Sequence, residues 1–417
     1  MILDIQFKNY RSFKDKCNFS MEASSTETKA NNVFVAPVSE NDEERLLKIA
    51  IIYGANASGK TNIIRMLYAL RSMISNMTAN QGGEGIYLYE PFVLDEDSKN
   101  EPTEISISFI VNNIKHLYEL TYNGEEFLSE KLTYFPKGVA AILFERVPVE
   151  NDSIIKVYEP KYFTSIPKSK VQKFVVFSNK LILSKFLYDI PFDLITPAAK
   201  YLANIHIANG YHSRMINQLW DEFRDWLAED ESRRNKLMKL LAFADLGIKA
   251  FKIDVKETSL QKVLLTHESY RGAQRVEDID FSFDNESYGT RQLFILGGKI
   301  LQSLESGSPL FVDEMDTGFH TYISSFILDI FRDKEINKKN AQLILTTHDI
   351  NLLNEDKLRR DQIWFTENQK GVRQIYILFQ IFQVFEKIPL LRNGIWQINL
   401  ERYHPLNPYK NCSDAID

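Results

Sequence analysis

Apolar and polar residues alternate from the start of the chain, Met1-Ile2-Leu3-Asp4-Ile5-Gln6-Phe7, and again in Cys17-Asn18-Phe19-Ser20-Met21 after a turn near Asn9 to Lys16. Period two is the mark of a half-buried strand, so residues 1–22 read as a hairpin. Residues 23–45 are polar and read as loop. Leu47-Lys48-Ile49-Ala50-Ile51-Ile52-Tyr53 is then rich in apolar and β-branched residues, as a strand buried on both faces requires. Beyond a glycine-bounded stretch the period changes. Ile63, Ile64, Leu67, Leu70 and Ile74 recur at steps of three and four, one face of a helix that fades near Asn76 to Gly85. From Pro91 to Val149 the alternation returns, with Ile105, Ile107 and Phe109 interleaved by Ser106 and Ser108. Residues 116–122 and 131–134 follow as strands, and Asn123-Gly124 is a hairpin turn. An antiparallel layer beside the sheet of the buried strand is the expectation.

Residues 151–245 are more helical in pattern, and Trp220, Phe223, Trp226 and Leu227 stand at helix spacing, as a core-facing stripe would. Lys168, Lys170, Lys173, Lys180 and Lys185 cluster among aromatics there, either as a solvated face or as a track for a nucleic-acid backbone. Strands resume after Leu246, and buried ones recur at Leu310 and Leu343. The expected organisation is an N-terminal lobe over 1–150, a mainly helical inserted arm over 151–245 and a C-terminal lobe over 246–417.

The stretch between buried strand and helix, Gly54-Ala55-Asn56-Ala57-Ser58-Gly59-Lys60-Thr61, fits G-x-x-x-x-G-K-[ST], the phosphate loop known as Walker A. Small residues let consecutive N–H groups curl into an anion-binding nest, and the following helix points its partly positive end at the same phosphates. Lys60 is expected to reach the β- and γ-phosphates and the Thr61 hydroxyl to hold Mg²⁺, with Gly54, Asn56, Ala57, Ser58, Gly59 and Asn62 around the ATP. Strand, loop and helix arrive in the order this motif needs.

Three further stretches add to it. Pro309-Leu310-Phe311-Val312-Asp313-Glu314-Met315-Asp316 is an apolar strand ending in two acids. Asp313 is placed to hold Mg²⁺ through water, and Glu314 to take a proton from an attacking water. Leu343-Ile344-Leu345-Thr346-Thr347-His348-Asp349 is another buried strand, ending in a histidine that could sense the γ-phosphate. Such a histidine alone is more often structural. Asn285-Glu286-Ser287-Tyr288-Gly289-Thr290-Arg291-Gln292 opens a helical run and makes a second anion site, suited to the nucleotide of a partner subunit. In Asn9-Tyr10-Arg11-Ser12-Phe13, Arg11 is either over the nucleotide or a plain surface arginine.

Composition narrows the class without changing it. The chain has 417 residues, 44% hydrophobic and 25% charged, enough for a large core in two lobes. A net charge of −6 argues against a general nucleic-acid coat but leaves room for a local basic groove. Cys17 and Cys412 fit no metal spacing, so a reduced, cytoplasmic protein is expected. No apolar run approaches the roughly 20 residues of a membrane span.

Phosphate loop, serine-glycine signature, Asp-Glu strand and strand-borne histidine in this order resemble an ABC-type ATPase of the SMC/RecF kind. Asn9-Tyr10-Arg11-Ser12-Phe13, Glu286-Ser287-Tyr288-Gly289-Thr290, Asp313 to His320 and Asp361-Gln362-Ile363-Trp364-Phe365-Thr366-Glu367 are similar to the RloA/AbiLi-like ATPases of prokaryotic antiviral defence and abortive infection. The resemblance implies an α/β fold, an ABC-type P-loop NTPase head with a mixed sheet, a flanking antiparallel β layer and the helical arm. It further implies ATP hydrolysis with catalytic Glu314, His348 and Lys60, ATP and Mg²⁺ as cofactors, and a homodimer or higher homo-oligomer. Two ATP molecules would lie between one copy's phosphate loop and the other's Glu286, Ser287, Gly289 and Thr290. Asp316 and His320 would lie on a loop crossing between copies, although His320 could equally cap a helix. A separately encoded toxin or nuclease is the implied partner, and a RecF/SMC-like DNA-binding protein is the alternative. The signature departs from the leucine-serine-glycine-glycine-glutamine of transporters, no glutamine loop is placed, and the pattern ends near Gly371.

Overall fold

The computed structural model describes residues 1–76, 84–149, 156–171, 173–208, 219–220, 224–243, 247–253, 263–318, 320–353, 357–369 and 372–377. The chain divides into two compact units, one made of Met1 and Asn204–Leu353 and the other of Ile2–Ala203 and Asn354–Asp417.

The larger unit opens with the expected hairpin, β1 (Ile2–Lys8) and β2 (Cys17–Ser20), which pair antiparallel. Residues 23–45, expected as loop, contain a second hairpin: β3 (Val33–Pro37) pairs with β4 (Glu43–Leu47). Phe34, Ala36 and Leu46 are buried from it, an alternation too short to stand out among polar neighbours. β5 (Ile49–Gly54) leads through the glycine loop into α1 (Lys60–Asn76). Ile63, Ile64, Leu67, Leu70 and Ile74 are all buried, as their spacing predicts.

An antiparallel meander follows: β6 (Thr103–Val111), β7 (Ile114–Tyr122), β8 (Phe127–Tyr134), β9 (Ala141–Val149), β10 (Val157–Tyr162) and β11 (Val176–Phe177). With β1 and β2 it forms an eight-stranded sheet in the order β11-β10-β9-β8-β7-β6-β1-β2. The Asn123 side chain closes the β7–β8 turn by accepting from the N–H groups of Glu125 and Glu126, both at 2.8 Å. Two helices, α2 (Ile182–Tyr188) and α3 (Thr196–Ala203), complete this part. Buried Glu130 of β8 starts α2, accepting from the N–H of Ile182 at 2.7 Å and of Leu183 at 2.8 Å. Tyr201 of α3 stacks on Phe109 of β6 with ring centroids 5.1 Å apart.

In the smaller unit β12 (His206–Ala208) precedes α4 (Glu231–Phe243) and the strands β13 (Ile248–Lys252) and β14 (Leu264–His267). A small hairpin, β15 (Tyr270–Arg271) and β16 (Gln274–Arg275), leads to β17 (Ile279–Ser282), and β13-β14-β17 form an antiparallel sheet. Then come α5 (Tyr288–Ser306), β18 (Leu310–Val312), α6 (Thr321–Arg332) and β19 (Leu343–Thr346). β18 pairs parallel with both β12 and β19.

The chain returns to the larger unit as β20 (Ile363–Gln369), parallel to β5, and β21 (Val372–Ile377), antiparallel to β20. Phe19 of β2 meets Trp364 of β20 at 4.9 Å, so the antiparallel layer and the β5-β20 strands share a core. The boundaries at 203/204 and 353/354 differ from those read at 150/151 and 245/246. The described residues of 151–245 are shared between the units, because β10 and β11 extend the meander and β12 joins β18. Phe223 and the tail from 378 lie outside the described residues.

His116 of β7 lies opposite Phe109 and stacks on it at 5.5 Å, with Nδ1 2.9 Å from the Ile114 carbonyl oxygen. Burial lowers its pKa from 6.5 to about 4. The unfolded chain therefore takes up this proton first as pH falls. Stability that is whole above about pH 6.5 is lost on the way down to about pH 4, by on the order of 3 kcal/mol. His116→Asn should flatten the fall in melting temperature between about pH 7 and about pH 4.5, and a slope equal to wild type would show that His116 titrates normally.

Candidate functional site

The phosphate loop belongs to the larger unit and begins where the buried strand β5 ends. A side chain at Gly54 would begin 2.3 Å from Thr366 Oγ1 and 2.5 Å from Ser58 Oγ, so only glycine fits. At Gly59, φ is 105° and a Cβ would stand 3.0 Å from both Ser12 Oγ and Phe13 Cζ. Ala57 takes a left-handed φ of 60° between them. The loop is held from below. Thr366 Oγ1 on β20 donates to the Tyr53 carbonyl at 3.3 Å and lies 2.5 Å from Ser58 Oγ, which is then the donor in that pair. Lys60, 6% exposed, bends its ammonium back across the loop to the carbonyls of Gly54 at 2.8 Å and Ala55 at 3.2 Å.

The Asn9–Phe13 turn packs against this loop, which explains the contact at Gly59. Asn9 is fully buried at φ 52°, donating to the carbonyls of Ser98 and Glu101 and accepting from the Phe92 N–H. Asn62 donates to Ser12 Oγ at 2.7 Å. Arg11, also left-handed at φ 51°, pairs its guanidinium with Glu90 at 3.4 Å. Tyr10 donates to the same carboxylate, and burial, then Glu90, push its phenol well above the ordinary range.

The acidic strand, the histidine strand and the signature helix all lie in the smaller unit. β18 is wholly buried and is followed directly by Asp313, which is 2% exposed. Thr346, the last residue of β19, donates its hydroxyl to Asp313 Oδ1 at 2.6 Å and accepts from the Glu314 N–H at 2.8 Å. One hydroxyl thus fixes both acids. Glu314 is exposed and left-handed at φ 52°. Asp316 Oδ1 accepts from the Thr347 hydroxyl at 2.6 Å and the His348 N–H at 3.0 Å, so it shapes the loop that carries the exposed His348. His320 caps α6, its Nδ1 accepting from the Tyr322 N–H at 3.2 Å.

Ser287, an exposed residue, caps α5 by accepting from the Thr290 N–H at 3.1 Å, and its Oγ lies 2.8 Å from Thr290 Oγ1. A Cβ at Gly289 would stand 2.5 Å from the Gly318 carbonyl oxygen. The glycine of the signature therefore rests on the loop that carries Asp313 to Asp316. Glu286 turns instead toward His267, with Oε1 2.7 Å from Nε2. In the lysine cluster, Lys168 and Lys170 are exposed on a short turn, and Lys170 pairs with Asp193 at 3.2 Å.

Sequence reasoning missed Thr346, Thr366 and Glu90. A usable signal for the threonines lay in the pattern: each is the first hydroxyl residue after an apolar run, Leu343-Ile344-Leu345 or Ile363-Trp364-Phe365. No signal marks Glu90.

A buried strand, a loop that admits glycine alone at both bounds and a helix begun by a bent-back lysine define a P-loop NTPase. The chain belongs to the family described as "AAA domain, putative AbiEii toxin, Type IV TA system", which matches over residues 49–354. This accords with the defence-associated ATPases that its motifs resemble. No curated protein matches it. Among solved structures it is similar to the SMC head domain from Thermotoga maritima, at 14% identity and a TM-score of 0.38, over 90% of this chain and 98% of that one. It is also similar to an SMC head bound to the C-winged helix domain of ScpA, at 12% identity and a TM-score of 0.44, over 92% and 99%. No helix among the described residues is long and apolar enough to cross a membrane.

Thr346→Val keeps the shape of the side chain and removes the hydroxyl, leaving buried Asp313 without that donor. It should cost about 1–3 kcal/mol in chemical unfolding, whereas Thr346→Ser should cost much less. Equal losses in the two variants would mean that packing, and not the hydrogen bond, is what Thr346 supplies.

Proposed function

We propose that this chain binds and hydrolyses ATP, dimerises around it, and uses the cycle as a switch for a separately encoded toxin or nuclease in anti-phage defence. The observation that carries the reading is the phosphate loop: it has no room for a side chain at Gly54, it holds Gly59 at a left-handed φ of 105°, and Lys60 bends across it. A triphosphate there would meet the loop N–H groups of Asn56 to Gly59 and the N-terminal end of α1. Lys60 would exchange its carbonyl contacts for phosphate oxygens.

Thr61 and Asp313 would hold Mg²⁺, since a hydroxyl and a carboxylate are the hard oxygen donors this ion takes. When bound, it supplies charge neutralisation at the β- and γ-phosphates. Glu314 would take the proton of the attacking water, and its exposure at the end of a fixed strand supports that assignment. His348 would hydrogen-bond the γ-phosphate or that water. Exposed Ser287, with Gly289 behind it, would meet the triphosphate of a second copy. The family description, with its putative AbiEii toxin and type IV toxin–antitoxin system, supports the defence setting.

Glu314→Gln tests the reading. Phosphate release should fall by about 10²–10⁴-fold, while an ATP-dependent dimer accumulates in light scattering. Hydrolysis at the wild-type rate would remove Glu314 as the base; absence of a dimer with ATP would remove the switch.

A further inference from the structure

Away from the phosphate loop and the acidic strand, α4, α5 and α6 of the smaller unit enclose a groove of about 640 Å³. Its floor is apolar. Leu240 and Phe243 of α4 face Ile300 and Leu304 of α5 and Phe326 of α6. Phe243 lies flat on Phe326, with centroids 3.5 Å apart, yet stays 42% exposed, and Ile336 at the rim is 52% exposed. Large apolar side chains left this open in one concave place mark a binding surface more often than a solvated one.

The rim is basic. Lys236 and Lys239 stand on α4, and Lys338 and Lys339 on the segment after α6. All four are exposed, and none forms an ion pair among the described residues. Arg233 is already engaged, with Glu305 at 2.6 Å and over the Trp226 ring at 4.6 Å. With Glu305 taken up by Arg233, these four cations face one further lining acid, Glu335, on a chain whose net charge is −6.

Length and charge together choose the occupant. The α4 wall runs from Arg233 to Phe243, about 15 Å or nearly three turns. A ligand with one anionic head would use the cations at a single end. Cations on both rims of an apolar trough match a stripe of apolar side chains flanked on each side by carboxylates. We propose that this groove docks an amphipathic, acid-flanked helix of a partner protein, in the helix-in-groove mode. The assignment is independent of nucleotide chemistry, because no residue of the phosphate loop or of the Asp313–Asp316 segment lines the groove.

The probe is a fluorescein-labelled helical peptide of about 20 residues, with leucines at steps of three and four and glutamates on both flanks. A matched peptide carries lysines in place of the glutamates, and both are titrated by anisotropy onto the full chain at low and at high salt. The acidic peptide should bind, weaken with salt, and lose roughly ten-fold in affinity on Lys236→Glu/Lys239→Glu, a double change at exposed sites. The same variant should gain affinity for the lysine peptide, which separates a charge effect from misfolding. The proposal is overturned if the two peptides bind alike, if neither binds, or if the double variant binds the acidic peptide as wild type does. It is equally overturned if dodecanoate occupies the groove and the acidic peptide does not, which would make this an acyl-anion site.

Discussion

A strand buried on both faces must still end in polar chemistry, and the cost of that burial shapes both units. A buried carboxylate or carbonyl without a partner costs about 1–3 kcal/mol, more when charged. The same device meets the demand twice: a threonine on the adjoining strand whose hydroxyl donates once and accepts once. Thr366 donates to the Tyr53 carbonyl and accepts from Ser58, while Thr346 donates to Asp313 and accepts from the Glu314 N–H. Threonine suits the task because its β-branch packs in a strand while its oxygen reaches sideways.

These bonds also hold backbone conformations that the chain would otherwise leave. Ala57 and Glu314 both have φ above 50°, each at a cost on the order of 1 kcal/mol or more for a residue with a side chain. The threonine hydroxyl anchors Ser58, next to Ala57, in one case and the N–H of Glu314 itself in the other. The unusual conformation is therefore enforced from the sheet, and the loop presents its exposed atoms in one arrangement.

The strand–loop–helix unit was legible because each part leaves a periodic trace: the apolar run 49–53, the two glycines, and the face Ile63 to Ile74. The antiparallel meander was legible for the same reason. The β3–β4 hairpin was not, since five-residue strands with one exposed face look like loop when their turns are polar. The boundary at 203/204 was hidden because α2 and α3 read as part of a helical region, while their packing against β6 and β8 depends on Glu130 and Phe109, distant in sequence. At the site, residue types were legible and internal partners were not. Asp316 was read as lying between copies and His320 as either that or a helix cap; within this chain Asp316 shapes the His348 loop and His320 caps α6.

The contact of Gly289 with Gly318 limits what can move independently. A missing side chain on each is filled by the other's surroundings: the Gly318 carbonyl stands 2.5 Å from the Gly289 Cβ position, and Gln292 Oε1 stands 2.7 Å from that of Gly318. Close-packed backbone has no slack to take up displacement. Gly318 is four residues from Glu314, and the Thr317 N–H donates to the Glu314 carbonyl at 2.9 Å, so this segment is a single tight turn. A shift of that turn must push on the first residues of α5, where Ser287 is the cap. From Leu293 to Ile300 the same helix is buried throughout, so its first turn is continuous with the core. The segment that bears the exposed glutamate and the helix start that bears the exposed serine thus meet backbone to backbone at Gly318 and Gly289, a contact that any larger residue at Gly289 would break.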